Sequence, residues 1–547
     1  MTPVPIEPTE NAYAYPLLIG HLLHRPRAIA QDQEIVYADV MRYRYRDLFV
    51  RIHRLANILH DLGVRPGNTV AMMDWDSHRY LECFFAVPMM GAVLQTVNVR
   101  LSHEQIIYTL NHAEADIILI NRVFLPILAA IGPELRTVKQ FVVLNDGADE
   151  GVPDNFAGEY ESLLSGAADR YNFPEFDENT RATTFYTTGT TGLPKGVYFS
   201  HRQLVLHTLS AMSALGLSIG DAGLRSNDVY MPMTPMFHVH AWGVPYIATL
   251  AGVKQVYPGR YLPDTLLGLK QREGVNFSHC VPTILQMLLT HPKSASVNLL
   301  GWKIMIGGSA LPPALAEMAK AKGVNVFTGY GMSETCPILT VAQLPAEEIG
   351  GPRDTELRCK TGLPLPLVDI RVADEEMNDT PHDGVTIGEI VVRAPWLTQG
   401  YLKDPAQSEA LWDGGYLHTQ DIGHIDEKGW LQVTDRIKDV IKTGGEWLSS
   451  LTLENLLSNH PAVAEVAVIA LKDEKWGERP MALVVKKPNM AATEADLRQV
   501  LQDAAAAGKI SRFGIIERIE FVDELRKTSV GKLNKRAMRH VYDNESQ

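Results

Sequence analysis

Between residues 45 and 62 the apolar side chains Leu48, Ile52, Leu55, Ile58, Leu59 and Leu62 recur at steps of three and four. That spacing gathers them on one stripe of an α-helix, and Gly63 is placed to end it. Pro66-Gly67 then reads as a turn, and Thr69-Val-Ala-Met-Met73 as a short buried strand. A second helical pattern over 80–90 is followed by a strand at 92–96, and the same alternation returns at 204–215, 228–233 and 275–289. Strands alternating with helices predict parallel sheets covered on both faces, an α/β fold.

The pattern changes near Thr434-Asp-Arg-Ile-Lys-Asp439. Before it, Gly414-Gly415-Tyr416 and Glu427-Lys428-Gly429-Trp430 read as hairpin turns. After it come Lys442-Thr-Gly-Gly-Glu446, a helix over 451–460 and a strand over 463–471. With 547 residues the chain exceeds what one core fills. The expected division is a large N-terminal domain of parallel sheets, 1–436, and a small α+β domain, 437–547, joined by a charged hinge.

Composition narrows the function. The formal net charge is −13, which disfavours nucleic acid as a partner, so a polyphosphate ligand needs local dipoles and cations to hold it. The four cysteines, Cys83, Cys280, Cys336 and Cys359, show no zinc spacing and read as reduced thiols of a cytoplasmic protein. Acids and prolines in the first ten residues do not make a signal peptide, and no apolar run is long enough for a transmembrane segment.

The densest chemistry lies in Tyr186-Thr-Thr-Gly-Thr-Thr-Gly-Leu-Pro-Lys-Gly196, after a β-prone stretch. Gly189 and Gly192 let backbone N–H groups face an anion without a Cβ in the way. Thr187, Thr188, Thr190 and Thr191 add hydroxyl donors, and Lys195 adds a charge. This is a polyphosphate loop, yet GxxxxGK[ST] is absent, which disfavours a P-loop kinase or GTPase.

With this loop the chain resembles an acyl-CoA synthetase of the adenylate-forming superfamily, which also holds luciferases and peptide-synthetase adenylation domains. Further motifs fall in that superfamily's order over nearly the whole length: Gly329-Tyr-Gly-Met-Ser-Glu-Thr335, Tyr416-Leu-His-Thr-Gln-Asp421, Asp435-Arg-Ile-Lys-Asp439, Lys442-Thr-Gly-Gly-Glu446 and Thr528-Ser-Val-Gly-Lys532. Three positions depart from the family pattern. Gln420 stands where the family has Gly, Ser333 replaces Thr, and Arg526 sits where Pro is usual.

The resemblance implies an ATP- and CoA-dependent ligase that forms an acyl-adenylate and hands the acyl group to CoA. It implies Mg²⁺ on Glu334 and Thr187, hard oxygen ligands suited to that ion. Adenine would lie against Tyr330, near Gly307, Gly308 and Ser309, with Gly329, Gly331, Met332 and Ser333 also at the nucleotide. Asp421 can accept from ribose hydroxyls, and Arg436 can donate a fork to ribose or phosphate. Lys532 would offset charge as the carboxylate attacks the α-phosphate. Lys438 would be the pivot on which the small domain turns between half-reactions. Lys442, Gly444, Gly445 and Glu446 would then face CoA.

His238, in Pro235-Met-Phe-His-Val-His-Ala-Trp-Gly243, is the family's histidine beside the acid. Val239, Trp242, Gly308 and Pro337 would line the acyl pocket with it, while His240 reads as structural. Gly444-Gly-Glu-Trp-Leu-Ser-Ser450 most resembles the medium- and long-chain fatty acid branch, in which a tryptophan at the position of Trp447 gates the acyl tunnel. That branch also takes short thioether acids such as 3-methylmercaptopropionate, and it implies a homodimer. Two rivals remain at this stage: an adenylating enzyme with an acceptor other than CoA, for which no carrier domain is expected here, and a non-catalytic nucleotide-binding protein.

Overall fold

The computed structural model describes residues 3–147, 151–187, 193–218, 222–443, 446–488, 490–507, 510–527 and 533–544, without the side chains of 446, 447, 543 and 544. The chain divides into two compact units. The first holds Met1–Val368 with Ala394–Glu409, and the second holds Asp369–Arg393 with Ala410–Gln547.

The first unit carries two sheets. One has seven strands, in the order Gly158–Glu159, Gln140–Leu144, Ala115–Asn121, Thr69–Met73, Val93–Thr96, Arg181–Thr187 and Lys195–Ser200. All neighbours are parallel except the last pair, which is antiparallel. The other has nine strands, with Val229–Pro232, Phe277–Cys280, Trp302–Ile306 and Val324–Gly331 side by side and parallel near its middle. Every residue of Thr69–Met73 is buried, as a parallel strand between helical layers requires.

The early helix runs Tyr45–Asp61, its apolar stripe buried and Gly63 at φ +94° just past its end. The expected alternation continues as His78–Met89, then Val93–Thr96. Much of the core of the nine-stranded sheet is aliphatic, packed around Leu266, Leu285, Trp302 and Ile304.

The second unit has a four-stranded antiparallel sheet, Asp369–Ala373, Gly388–Arg393, Leu417–Ile425 and Leu431–Arg436. It also has a five-stranded sheet flanked by the helices Ser450–Ser458, Glu494–Ala506 and Lys535–Asn544. The fold is therefore α/β with a large parallel-sheet part and a smaller C-terminal part. Position 436/437 falls just after the last strand of the four-stranded sheet. The described contacts group that sheet with the C-terminal residues, because Asp435 accepts hydrogen bonds from the Ser450 hydroxyl at 2.6 Å and the Leu451 amide at 3.2 Å.

Two turns behave differently from one another. Residues 427–429 do close a hairpin, between Leu417–Ile425 and Leu431–Arg436. Gly414-Gly415 does not: it lies in a short 3₁₀ turn, Asp413–Gly415, because Leu417–Ile425 pairs with the distant Gly388–Arg393 instead. Among the described residues no helix is long and apolar enough to cross a membrane.

Candidate active site

Thr187 ends the strand Arg181–Thr187, and Lys195 opens the strand paired with it, so the two residues face each other across the ladder. Thr188, Gly189, Thr190, Thr191 and Gly192 lie outside the described residues; their flanks are therefore held 187 to 195. The segment Ala394–Glu409 runs beside this pair. Leu402 donates its amide to the Gly196 carbonyl at 2.8 Å, and Tyr401 bridges to Val197.

Sequence reasoning missed Tyr401. Its hydroxyl donates to Glu334 Oε1 at 2.8 Å, and its ring lies 4.4 Å from Lys195 Nζ. Lys195 also donates to Gln407 Oε1 at 2.9 Å. Burial first and the Glu334 charge second hold the phenol well above its usual range, so it stays a donor. Thr398 donates its amide to the Glu334 carbonyl at 2.9 Å, fixing the backbone as Tyr401 fixes the side chain. A Gly-Tyr pair 67 positions from Glu334 carries no spacing signal that could have shown this.

The strand Val324–Gly331 brings Gly329, Tyr330 and Gly331 to its end, with a bulge between the last two. A Cβ at Gly331 would run into the Pro337 carbonyl oxygen, so only glycine fits there. Met332 and Ser333 follow, leading into the turn Ser333–Thr335 that carries the buried Glu334. Gly307 serves packing inside the protein. A Cβ on it would lie 2.9 Å from both the Gly329 carbonyl oxygen and Trp242 Cη2. Gly308 has φ +76°, in the left-handed region, and with Ser309 it is exposed.

Val239, His240, Ala241 and Trp242 all have φ between 48° and 60°. Four L-residues in succession thus form a left-handed turn, at a cost of roughly 1–2 kcal/mol each. It is closed by Ala241 N donating to the His238 carbonyl at 3.1 Å and Gly243 N to His240 at 3.0 Å. His238, at its start, is exposed, and the four turn residues are buried. The turn puts the Trp242 ring beside Gly307 and 5.0 Å from the His279 ring.

His240 is walled by the rings of Phe84 and Phe185 at 5.6 and 5.3 Å, and burial pushes its pKa down to about 3. It is a neutral core histidine. His207, also missed, accepts from the Ile338 amide at 3.2 Å. Burial, and then His240, push its pKa to about 3, so it remains an acceptor beside the buried Pro337.

In the second unit Asp421 and Arg436 are register partners on adjacent strands, with Arg436 Nε 3.2 Å from Asp421 Oδ1. Gln420 beside them has φ +58°. The family's glycine fits that left-handed position without strain, and glutamine does not. Lys438 follows this strand, its carbonyl accepting from Arg539 Nη1 at 2.5 Å. Lys442 is exposed and pairs through the backbone with Trp447, as Thr443 does with Glu446. Gly444, Gly445 and Lys532 lie outside the described residues.

Among the described residues no three His, Cys, Asp or Glu side chains converge on one point. Mg²⁺ does not need them, since it is commonly bound by one or two carboxylates together with substrate phosphates. A buried Glu334 whose one oxygen is oriented by Tyr401 fits that requirement.

Residues 24–402 match the AMP-binding enzyme family model, and residues 452–532 match that of the AMP-binding enzyme C-terminal domain. The long-chain-fatty-acid–CoA ligase of Thermus thermophilus is 41% identical over 537 residues, 96% of each chain. The 3-methylmercaptopropionyl-CoA ligase of Ruegeria lacuscaerulensis is 35% identical, covering 96% of this chain and 97% of that one. Among solved structures, ATP-bound MatB from Rhodopseudomonas palustris superposes with a TM-score of 0.82 at 25% identity, over 97% of this chain and 100% of that one.

Proposed function

Because this chain belongs to the AMP-binding enzyme family and is an AMP-forming acid–CoA ligase, we propose that its acid is a fatty acid or a short thioether acid such as 3-methylmercaptopropionate. The observation that carries this is the left-handed turn. It presses the buried Trp242 ring against Gly307, so an apolar wall adjoins the strand end that bears Tyr330. Such a wall suits an apolar chain ending in a carboxylate. The two relatives named for such acids match over almost the whole chain.

On this reading the acid's carboxylate oxygen attacks the α-phosphorus of ATP, and pyrophosphate leaves. The CoA sulfur then attacks the acyl carbon, and AMP leaves with both electrons of the broken C–O bond. Lys195 and the loop 188–192 hold the phosphates. Glu334 and Thr187 would hold Mg²⁺, which when bound offsets phosphate charge. Tyr330 backs the adenine, Asp421 and Arg436 take the ribose, and His238 stands by the acid. Lys532 offsets the charge that builds at phosphorus. The segment 437–547 acts as a lid with Lys438 as pivot; Lys442, Gly444, Gly445 and Glu446 serve CoA, and Trp447 gates the acyl path. A homodimer follows from the likeness to the fatty acid branch, and a cytoplasmic setting fits four cysteines that are all free.

The test is CoA consumption and pyrophosphate release across straight-chain acids of increasing length, with 3-methylmercaptopropionate included. Consumption of CoA with an aliphatic or thioether acid supports the proposal. Pyrophosphate release without CoA consumption points to another acceptor, and a preference for aromatic acids removes the substrate assignment.

A further inference from the structure

Asp76 is 2% exposed and lies three residues beyond the strand Thr69–Met73 of the seven-stranded sheet. Its three oxygens all accept from loops that follow strands of the other sheet. Oδ1 accepts the Met236 amide at 2.8 Å, Oδ2 accepts the Tyr261 hydroxyl, and its carbonyl accepts the Gly259 amide at 2.9 Å. Met236 lies two residues before His238. One residue before His238, the Phe237 carbonyl accepts from Thr96 Oγ1 at 3.0 Å, and Thr96 ends the strand Val93–Thr96 of the same seven-stranded sheet. The backbone entering the left-handed turn is thus gripped at successive residues by Asp76, just past one strand of the seven-stranded sheet, and by Thr96, at the end of the neighbouring strand.

We infer that Asp76 is a positioning residue for the acid: by clamping Met236 it sets where His238 and the Val239–Trp242 wall stand. The inference rests on the reading that this loop faces the acid. Its selectivity follows from the topology. Gly307–Ser309 and Tyr330 hang on the strands Trp302–Ile306 and Val324–Gly331, which Asp76 does not touch. Release of the clamp therefore acts first on the acid wall, which meets the nucleotide side where Trp242 packs on Gly307. A displacement of about 1 Å at reacting groups can cost up to about 10²-fold.

KM for the best acid, KM for ATP and kcat are measured for Asp76→Ala, Asp76→Asn, Tyr261→Phe and His238→Ala. Asp76→Ala should raise the acid KM by about tenfold or more and leave the ATP KM within about twofold. Asp76→Asn, which keeps an acceptor for the Met236 amide and offers the Tyr261 oxygen a donor in place of an acceptor, should restore most of the loss. A parallel rise in both KM values, or no change in the acid KM, overturns the inference. If Asp76→Ala does not accumulate folded, Tyr261→Phe is judged by the same split. Damage from His238→Ala without damage from the Asp76 variants overturns the clamp alone. An unchanged acid kcat/KM in His238→Ala overturns the reading beneath it, and the clamp falls too.

Discussion

Tyr401 and Glu334 share a hydrogen bond of 2.8 Å, and the face of the same phenol ring lies 4.4 Å from Lys195 Nζ. One side chain thus spaces the acid proposed for the metal from the cation proposed for the phosphates. Neither can shift without disturbing the ring between them.

Tyr401→Phe keeps the ring under Lys195 and deletes only the donor. Loss of such an outer partner typically weakens metal affinity by about 10–100-fold. The apparent Mg²⁺ requirement should rise by about tenfold, and Glu334→Gln should raise it further, since an amide is a poorer ligand for a hard cation. Calorimetric titration of Mg²⁺–ATP into each variant checks this apart from turnover. Unchanged binding in both variants takes Glu334 out of the metal site.

Lys532→Ala should slow adenylation by about 10²–10³-fold, the scale for one preorganised donor. Acid-dependent pyrophosphate exchange reads that step, and CoA consumption from preformed acyl-adenylate reads the next. The second rate should largely survive. Equal losses in both would contradict the assigned role.

Gln420→Gly should stabilise the protein. At φ +58° a glutamine bears a steric cost of about 1 kcal/mol that glycine escapes, though glycine's extra freedom when unfolded returns part of it. Urea denaturation should show a midpoint shifted upward with an unchanged slope. A lower midpoint would mean that the Gln420 side chain makes up for its backbone.

Burial pushes the Asp76 carboxyl from 3.8 up to about 8, with Asp74 adding to the rise. The Tyr261 hydroxyl, the Met236 amide and the Arg100 charge pull the other way. The folded state therefore binds its proton more tightly than the unfolded chain. Stability contributed by this proton is fully present below pH 3.8 and drains away as pH rises to about 8. Asp76→Asn removes the titration, so its melting temperature relative to the parent should climb between those pH values and then level off. A difference independent of pH would show that Asp76 is ionised throughout.

Much of the scaffold was readable because its signals are repetitive. Thr69–Met73 is an unbroken apolar run between turn residues, and the stripe from Leu48 to Leu59 has one period. The Gly/Thr loop and Glu334 were readable as motifs. What escaped is contact between segments far apart in the chain. Tyr401 gains meaning only from Glu334, His207 only from Ile338, and Asp76 only from Met236. Gly414-Gly415 misled because two glycines suit a 3₁₀ turn as well as a hairpin, and local sequence does not say which strand comes next.

Val-His-Ala-Trp contains no glycine, so nothing in it announces a mirror-image turn. Its summed cost, about 4–8 kcal/mol, rivals the whole stability of a domain. Two hydrogen bonds of its own, Ala241 N to His238 and Gly243 N to His240, offset only part of that cost, and the neighbours packed around the stretch hold the rest. Burial and rigidity therefore part company at Val239–Trp242. Amide hydrogens there should exchange through local openings more often than those of the equally buried helix Val244–Ala251, so a fully enclosed stretch of chain is also one readily loosened.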